Sequence, residues 1–415
     1  MIAALYDTRS GTEPLNGDSV VHKYARTNSA TGIDLVVQNG LVNATNNRQE
    51  TPLIVAAQNS ACRAVAKLVQ LGAEINRQDK EGNTALHYAV LAESERTVEI
   101  LSIASADFNI PNSDGQTVIH LLALTNHLKL AKLVCRQLPL INMELIDRNG
   151  YNPFIAAVVN NNLRMIQYFL QLGYDPASRT HLNKTSLHIA VELKNITVIK
   201  LLARTKQINL LDDNGHSALT IAVGRGNEAA VDVLLQQNAD ITHIDKTGNS
   251  LLHVACTGPS VHILRHMIEH FSDLNIRNLA EETPLHLACA SNNAAVVSEL
   301  CTRKANITAQ DSKKRTPLMT AIMSGSQRSA LVLLEWDFVK ESGLLDLTDE
   351  NDMNALQYCI LFNDQSTAAR MRGIELAILN SQLAVPATQT VYISTVDNAP
   401  SADMDADPLY LLLDE

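Results

Sequence analysis

The sequence has few aromatic residues and no long apolar run. Aromatic residues make up 4% of 415 residues, with a single Trp, so a core must be built from aliphatic side chains. No stretch approaches the ~18 consecutive apolar residues of a membrane span. The N-terminal segment lacks the basic start and apolar run of a secretion signal. We therefore expect no membrane insertion and a cytoplasmic or nuclear location, with delivery into a host cell left open.

Charge and cysteine content exclude two further classes. The formal net charge is −11, which argues against broad binding to nucleic acid. The six cysteines show no CxxC pair and no regular metal-ligand spacing. They are expected to be reduced thiols, with no bound metal and no cofactor. Apolar residues make up 46% of the chain, enough to bury a core, and we expect a monomer that binds a protein partner.

The sequence also lacks the common catalytic motifs. It contains no glycine-rich nucleotide loop in a strand–helix context, no zinc-protease HExxH, no GxSxG and no kinase signature. These absences predict a protein that is not an enzyme. The alternative from another class is an enzyme whose site lies in the C-terminal insertion and cap, where no defensible Cys/His/Asp set is present.

What the chain does have is an internal repeat. Strings related to TPLHLA recur with successive spacings of 32, 33, 33, 35, 33, 32, 33, 33, 33 and 38 residues. Such a period is typical of stacked supersecondary units. The first residue of each string serves as its marker: Ser19, Thr51, Thr84, Thr117, Asn152, Thr185, Ser217, Ser250, Thr283, Thr316 and Asn354.

Each unit reads as a pair of helices joined to the next unit by a tight turn. Ser, Thr or Asn at the marker can cap a helix N-terminus, and Pro follows it in four units. A second apolar stripe about thirteen residues later predicts a second helix. Gly72, Gly173 and Asn238 suit left-handed caps at its end. Strings such as HIDKTGN, residues 243–249, carry the Asp and Gly of a tight turn.

With these motifs, the chain resembles the ankyrin-repeat family. The resemblance rests on the period, the TPLHxA string, the later string exemplified by LLQQNADIT (residues 234–242) and the Asp-x-x-Gly turn, and it covers roughly residues 17–380. It implies an all-α solenoid of about eleven helix pairs linked by hairpin turns. It also implies a scaffold that binds another protein on its concave face, without naming the partner.

The ends of the array depart from the pattern. Residues 1–16 read as a lead-in and residues 17–380 as the array, with an insertion at 337–353 and a capping segment to 380. Residues 381–415 are predicted to be a short, mostly disordered, acidic tail. Its apolar end, DPLYLLLDE at 407–415, could bind a partner's groove as a helix, fold back on the array, or serve only to solubilise the chain. In the first unit, Gly32 is expected to interrupt the second helix.

The histidines could be mistaken for catalytic or metal-binding residues. Six histidines stand three residues after a marker, and the resemblance implies that each bonds to backbone and links neighbouring turns: His22, His87, His120, His188, His253 and His286. Cys256 and Cys289 read as small core residues. His262, His266 and His270 are spaced four apart, which predicts an exposed helical face, and metal binding by them stays open.

A partner is expected at the turn tips and at the two residues that end the first helix of each unit, whose side chains are not needed for packing. The predicted partner-binding residues are Arg148, Asn149, Tyr151, His181, Leu182, Lys184, Asp213, His216, Lys246, Asn249, Leu279, Glu281, Glu282, Lys313, Lys314 and Arg315. Two alternatives within this reading are a regulator resembling the cytoplasmic inhibitors of NF-κB and a secreted bacterial effector that engages a host protein.

The repeat pattern predicts opposite outcomes for two truncations to alanine. Leu285→Ala should cost about 2–5 kcal/mol of unfolding free energy, because it opens a cavity in a core position. Lys314→Ala, at a turn tip, should change stability by less than about 0.5 kcal/mol. Chemical denaturation of both variants checks this, and equal midpoints would contradict the assignment of core and tip.

Overall fold

The fold is known from a computed structural model that describes residues 17–36, 41–125, 127–136, 140–336, 339–340 and 342–383. Over these ranges the chain forms 22 α-helices and a 3₁₀ turn at Leu41–Asn43. Extended pairing in the same ranges is limited to isolated bridges, such as Ile244 with Ser250. The predicted all-α solenoid is confirmed.

The odd-numbered helices form an inner row, and each has seven residues. They are α1 (Val20–Arg26), α3 (Pro52–Gln58), α5 (Ala85–Leu91), α7 (Val118–Leu124), α9 (Pro153–Val159), α11 (Ser186–Glu192), α13 (Ala218–Gly224), α15 (Leu251–Thr257), α17 (Pro284–Ala290), α19 (Pro317–Met323) and α21 (Ala355–Leu361). Each packs against the next inner helix along the stack.

The even-numbered helices form a parallel outer row. They are α2 (Ala30–Val36), α4 (Cys62–Gln70), α6 (Glu95–Ile103), α8 (Leu128–Cys135), α10 (Leu163–Gln171), α12 (Ile196–Leu202), α14 (Glu228–Gln236), α16 (Val261–Ile268), α18 (Ala294–Thr302), α20 (Gln327–Leu334) and α22 (Gln365–Leu383). Each outer helix contacts its own inner helix, and most neighbouring outer helices contact one another, so one continuous core runs the length of the stack.

The repeat markers define where the inner helices begin. Each of the eleven markers is the N-cap residue of an inner helix. Thr51 Oγ1 accepts a bond from the Ile54 amide at 3.3 Å, and Asn152 Oδ1 accepts one from Ile155 at 2.9 Å. These bonds satisfy amides that have no partner inside the helix.

A buried carboxylate organises the turn that precedes a marker. Asp79 Oδ1 accepts the amide of Asn83 at 2.8 Å, and its Oδ2 accepts the Tyr88 hydroxyl at 2.6 Å. Asp349 and Tyr358 repeat this pair at 2.6 Å in the last unit. The turns are also bonded to one another: the amide of Lys80 donates to the Arg48 carbonyl at 3.0 Å. The side on which turns and inner helices lie is hereafter the concave face.

One turn position adopts a left-handed backbone in every unit. Glycine fills it in several turns, and at Gly248, with φ of 81°, an added Cβ would also come within 2.6 Å of the Leu279 amide nitrogen. Other turns place side chains there, including Glu281 at φ 57° and Lys314 at φ 56°. Non-glycine residues pay a conformational cost in this region, so these two turns are strained.

The first unit differs from expectation. The helix α2 runs without interruption through Gly32, so the predicted break is wrong. Gly32 is buried, and a Cβ at this position would overlap the ring of Tyr24. The glycine therefore permits close packing of α2 on α1.

At the other end, the described part of the insertion contributes to the core. Val339 and Leu344 are buried there. The capping helix α22 has 19 residues and ends at Leu383, three residues beyond the expected limit. The predicted lead-in 1–16 and the acidic tail beyond residue 383 lie outside the described residues.

The left-handed turn gives a prediction with its control in the same loop. Lys314→Gly should raise the unfolding free energy by up to about 1 kcal/mol, because glycine removes the backbone strain at φ 56°. Lys313→Gly, one residue earlier and outside the left-handed region, should give no gain. Urea denaturation of both variants measures this. A gain for Lys313→Gly alone would show that strain at Lys314 is not the cause.

Candidate partner-binding face

Histidine links successive units in the described repeats that carry it. In the unit of Thr84, the amide of Thr84 donates to His87 Nδ1 at 3.2 Å, and the Nε2–H donates to the Gln116 carbonyl at 3.2 Å. The amide can only donate and the carbonyl can only accept, so the neutral Nε2–H tautomer is required. The same bridge reaches the next unit at 2.9–3.1 Å from His22, His120, His188, His253 and His286. The predicted structural role is confirmed.

Burial keeps five of these imidazoles neutral. Loss of solvent lowers the pKa of His87 to about 4 and also lowers the pKa of His120, His188, His253 and His286. A proton on Nδ1 would also point at the marker amide N–H, from which Nδ1 accepts a hydrogen bond in the neutral form. These side chains are therefore placed for packing and linkage, and are poorly placed for acid–base chemistry near neutral pH.

The thiols are similarly sequestered. Cys256 and Cys289 are fully buried in α15 and α17, and burial raises the pKa of both thiols. All six cysteines are free. A thiolate is the reactive form of cysteine, so burial disfavours nucleophilic chemistry at these two positions.

The spaced histidines near residue 266 do not share one helix. The helix α16 ends at Ile268, so His270 lies in the turn after it. His262 Nδ1 lies 3.9 Å from Glu228 Oε2, and His266 Nδ1 lies 3.9 Å from Asp232 Oδ1. Among the described residues, no group of three or more His, Cys, Asp or Glu side chains is positioned to hold a metal ion.

The structure divides the sixteen predicted partner-binding residues into two layers. Ten are exposed at the turn tips: Arg148, Asn149, His181, Leu182, Asp213, Lys246, Leu279, Glu281, Lys313 and Lys314. Leu182 and Leu279 are 61% and 77% exposed, so two apolar side chains stand free among polar ones.

The other six residues occupy the position directly before a marker and are half-buried. They are Tyr151, Lys184, His216, Asn249, Glu282 and Arg315. Tyr151 packs against the core, and Arg315 is paired with Asp311 at 2.6 Å. These side chains lie between the turn tips and the inner helices, and several of them already pack against or pair with other residues of the chain.

The sixteen predicted residues include none from the carboxyl ends of the inner helices, although those ends were also expected to face outward. Leu91, Leu124 and Leu193 are 47%, 45% and 50% exposed there, although each belongs to an otherwise buried helix or its cap. A signal was present, because Leu91 and Leu124 follow their marker by seven residues and Leu193 by eight, at the ends of inner helices where polar or small residues are common. Leu91 and Leu124 end adjacent inner helices, and Leu193 follows two helices later, with the half-buried Val159 of α9 between them. These three leucines are here called the leucine strip.

Beside this strip lies a charged depression of about 260 Å³, here called the central notch. Glu192 Oε1 accepts from Lys184 Nζ at 2.8 Å and from Arg225 Nη2 at 2.9 Å, so two cations share one carboxylate. Gly224 lines the notch and has no side chain to fill it. Of these four residues, only Lys184 was predicted from the sequence.

His216 also lines the notch. Its Nδ1 lies 3.8 Å from Asp212 Oδ2, and its Nε2 lies 3.7 Å from Asp245 Oδ2. Burial acts to raise the pKa of Asp245, but hydrogen bonds from Thr247 and Asn249 outweigh it and lower the pKa. The lining of the notch therefore combines acidic side chains, Glu192 and Asp212, with the cations Lys184 and Arg225.

These features define a class of protein: a stack of helical hairpins with a variable, solvent-facing concave surface. A family model described as ankyrin repeats in three copies matches residues 25–112, 86–180, 160–245, 187–278 and 252–342, well over half of the chain. The chain belongs to the ankyrin-repeat family, whose repeats are protein–protein interaction modules.

Curated relatives share the repeats at low identity. The chain is 25% identical over 250 residues to the nuclear factor NF-kappa-B p105 subunit of Gallus gallus, covering 58% of this chain and 22% of that protein. It is 26% identical over 238 residues to NF-kappa-B inhibitor delta of Mus musculus, covering 54% of this chain and 69% of that protein. It is 31% identical over 119 residues to human transient receptor potential cation channel subfamily A member 1, covering 28% and 11%.

The matches therefore span about a fifth or less of the p105 subunit and of the channel. Within the described part of this chain, no helix combines the length and apolar character needed to cross a bilayer.

The histidine bridges predict a loss of stability in acid. Above about pH 6.5 the imidazoles are neutral in both states. Below it the unfolded chain binds protons that the folded chain excludes, so the unfolding free energy should fall as pH drops from about 6.5 toward the folded pKa of about 4 at His87. Urea titrations at about pH 7.5 and about pH 5 measure this fall.

His87→Met is the matched control, because Met319 naturally fills the same position and its sulfur accepts the Thr316 amide at 3.5 Å. The variant should show a smaller fall than the wild type. An equal fall would mean that His87 does not contribute to acid sensitivity.

Proposed function

We propose that this chain is a non-enzymatic scaffold that binds a partner protein on its concave face. The observation that carries the proposal is the exposed leucine strip lying beside the central notch. Protein interfaces typically combine apolar anchors with a polar rim. The strip and the notch provide both on the face that packing leaves free.

The notch indicates the chemistry of the partner. Lys184 and Arg225 share the single carboxylate of Glu192, and Arg225 keeps 52% of its side chain exposed. A carboxylate from a partner would complete this pairing at little desolvation cost on the exposed side. The proposed ligand is a protein segment with an acidic residue next to an apolar one, so that the apolar side chain rests on Leu193.

The turn tips would extend the contact. Leu279 adds a second exposed apolar anchor, and the acidic Glu281 lies one unit before the basic pair Lys313 and Lys314. Opposite charges at neighbouring tips favour a partner with the complementary order and set its direction along the stack.

The names of the relatives favour one specific version of this function. NF-kappa-B inhibitor delta and the p105 subunit share the repeats with this chain. A second candidate function is therefore inhibition of an NF-kappa-B protein. Addition of the purified chain to an NF-kappa-B–DNA complex, followed by gel mobility shift, tests it. Release of the DNA supports this candidate, and an unchanged complex at high micromolar chain eliminates it.

The concave face is tested with a charge-reversal variant and a matched control. The double variant Leu193→Asp, Arg225→Glu should weaken binding of a purified partner by roughly tenfold or more, as expected for an interface anchor. Ile103→Asp introduces the same charge at an 87%-exposed apolar residue at the end of α6 in the outer row, and should leave affinity unchanged.

The partner is first obtained by photo-crosslinking from position 279. The same crosslinker at position 103 should not capture it. Circular dichroism and thermal unfolding establish that the variants remain folded. Equal affinity of the double variant and the wild type would place the interface elsewhere on the molecule.

A further inference from the structure

The described part of the stack ends on an uncovered apolar face. Ile360 is 66% exposed, although the residues at its position in other units, such as Val90, Val223 and Ile322, are at most 1% exposed. Leu356 is only partly buried, whereas its counterparts are completely packed under the next unit. This surface, defined by Leu356, Gln357 and Ile360, is here called the end face.

The end face adjoins a depression of about 460 Å³. Ile360, Ala368 and Arg372 line it, together with the N-terminal residues of α22. In every unit before the last, the corresponding inner helix is covered by another inner helix of seven residues. The shape of the site therefore specifies its occupant: a short helix with the pattern of an inner helix.

The sequence contains such a segment beyond α22. Residues 407–413 read DPLYLLL, and they align with TPLHLAC at 283–289 and with TVIHLLA at 117–123. Asp407 takes the place of the capping residue, and Pro408 that of the proline in the first turn. Leu409, Leu412 and Leu413 fall at the positions that are buried in other inner helices, and Leu411 falls at the position of Leu121, which is 3% exposed, and of the half-buried Leu287.

We propose that residues 407–413 pack as a twelfth inner helix on the end face and close the stack. Stacked repeats need a terminal unit that covers the last apolar surface, because each unit is stabilised by its neighbours. Residues 407–413 would supply the inner helix of such a unit from the chain itself.

The covalent distance allows this arrangement. The helix α22 has 19 residues, or roughly 28 Å of length, so its end lies beyond the end face. Residues 384–406 connect it to the segment. A flexible chain of that length spans roughly 25–30 Å on average, which is enough to return along α22.

Gln357 supports the same assignment. Its Oε1 accepts the Asn354 amide at 2.8 Å, which reproduces the capping half of the histidine bridge. In the histidine units, the second ring nitrogen donates to the carbonyl of the residue before the next marker. The Gln357 amide is the equivalent donor, and Ala406 precedes Asp407 in the equivalent place.

The alignment has one departure. The units before it carry Asp, Asn or Thr five residues ahead of the marker in most cases, and this chain has Ala402 there. The organised turn is therefore not reproduced ahead of Asp407. This is consistent with a helix that joins the stack through a longer connection.

Hydrogen exchange on the full-length chain tests the proposal. In the wild type, amides of residues 411–413 and of α21 should be protected. Leu409→Asp places a charge at a buried position of the proposed helix, and should accelerate exchange at 411–413 and in α21 by roughly tenfold. Ile360→Asp, on the receiving surface, should have the same effect at 411–413.

Val396→Asp is the matched control, because it introduces the same charge at an apolar residue of the connection, outside the proposed helix. It should exchange like the wild type. Equal exchange of the wild type and Leu409→Asp would overturn the proposal, as would equal effects of Leu409→Asp and Val396→Asp. Protection that rises with protein concentration would instead assign the end face to a second copy of the chain and overturn intramolecular closure.

Discussion

The bond from a helix cap to the next turn is the constraint on which the stack depends. One imidazole caps its own helix and donates to the following unit, so local order and stacking are coupled through the same side chain. The units with Ile54, Ile155, Thr220 and Met319 lack this bridge. There, marker side chains such as Thr51 and Ser217 cap the helix alone, and stacking rests on apolar contact and on bonds between turns. The coupling between neighbours therefore varies along the chain.

A second set of hydrogen bonds, accepted by asparagine side chains, links the loops that follow the outer helices of neighbouring units. Asn76 Oδ1 accepts the Asp107 amide at 3.0 Å, and Asn275 Oδ1 accepts the Asn306 amide at 2.8 Å. The inner and outer bonds together fix the rotation of each unit against the next. Because packing and linkage use a fixed set of positions, the turn tips and the carboxyl ends of the inner helices are free to vary. The recognition surface that we propose uses these free positions.

The repeating parts of this structure could be predicted from the sequence alone. The marker residues predicted the helix starts because a cap and a proline act locally, and the period predicted the stack because each unit needs a neighbour. The helix break at Gly32 was predicted wrongly. This glycine is needed for close packing against the Tyr24 ring of α1, and no local sequence pattern reveals that contact. The central notch could not be predicted from the sequence for the same reason, because its residues meet only across neighbouring units. Glu192, Gly224 and Arg225 are unremarkable in their own segments, and only stacking brings them to Lys184.

The buried thiols have a practical consequence for studying this molecule. Cys135, Cys256, Cys289 and Cys359 lie in α8, α15, α17 and α21, so they sample the array from its first half to its last unit. Each can react with an alkylating reagent only when its own unit opens. The natural chain thus carries a graded series of internal reporters, and the order in which they are labelled would trace how fraying spreads from one hairpin to the next.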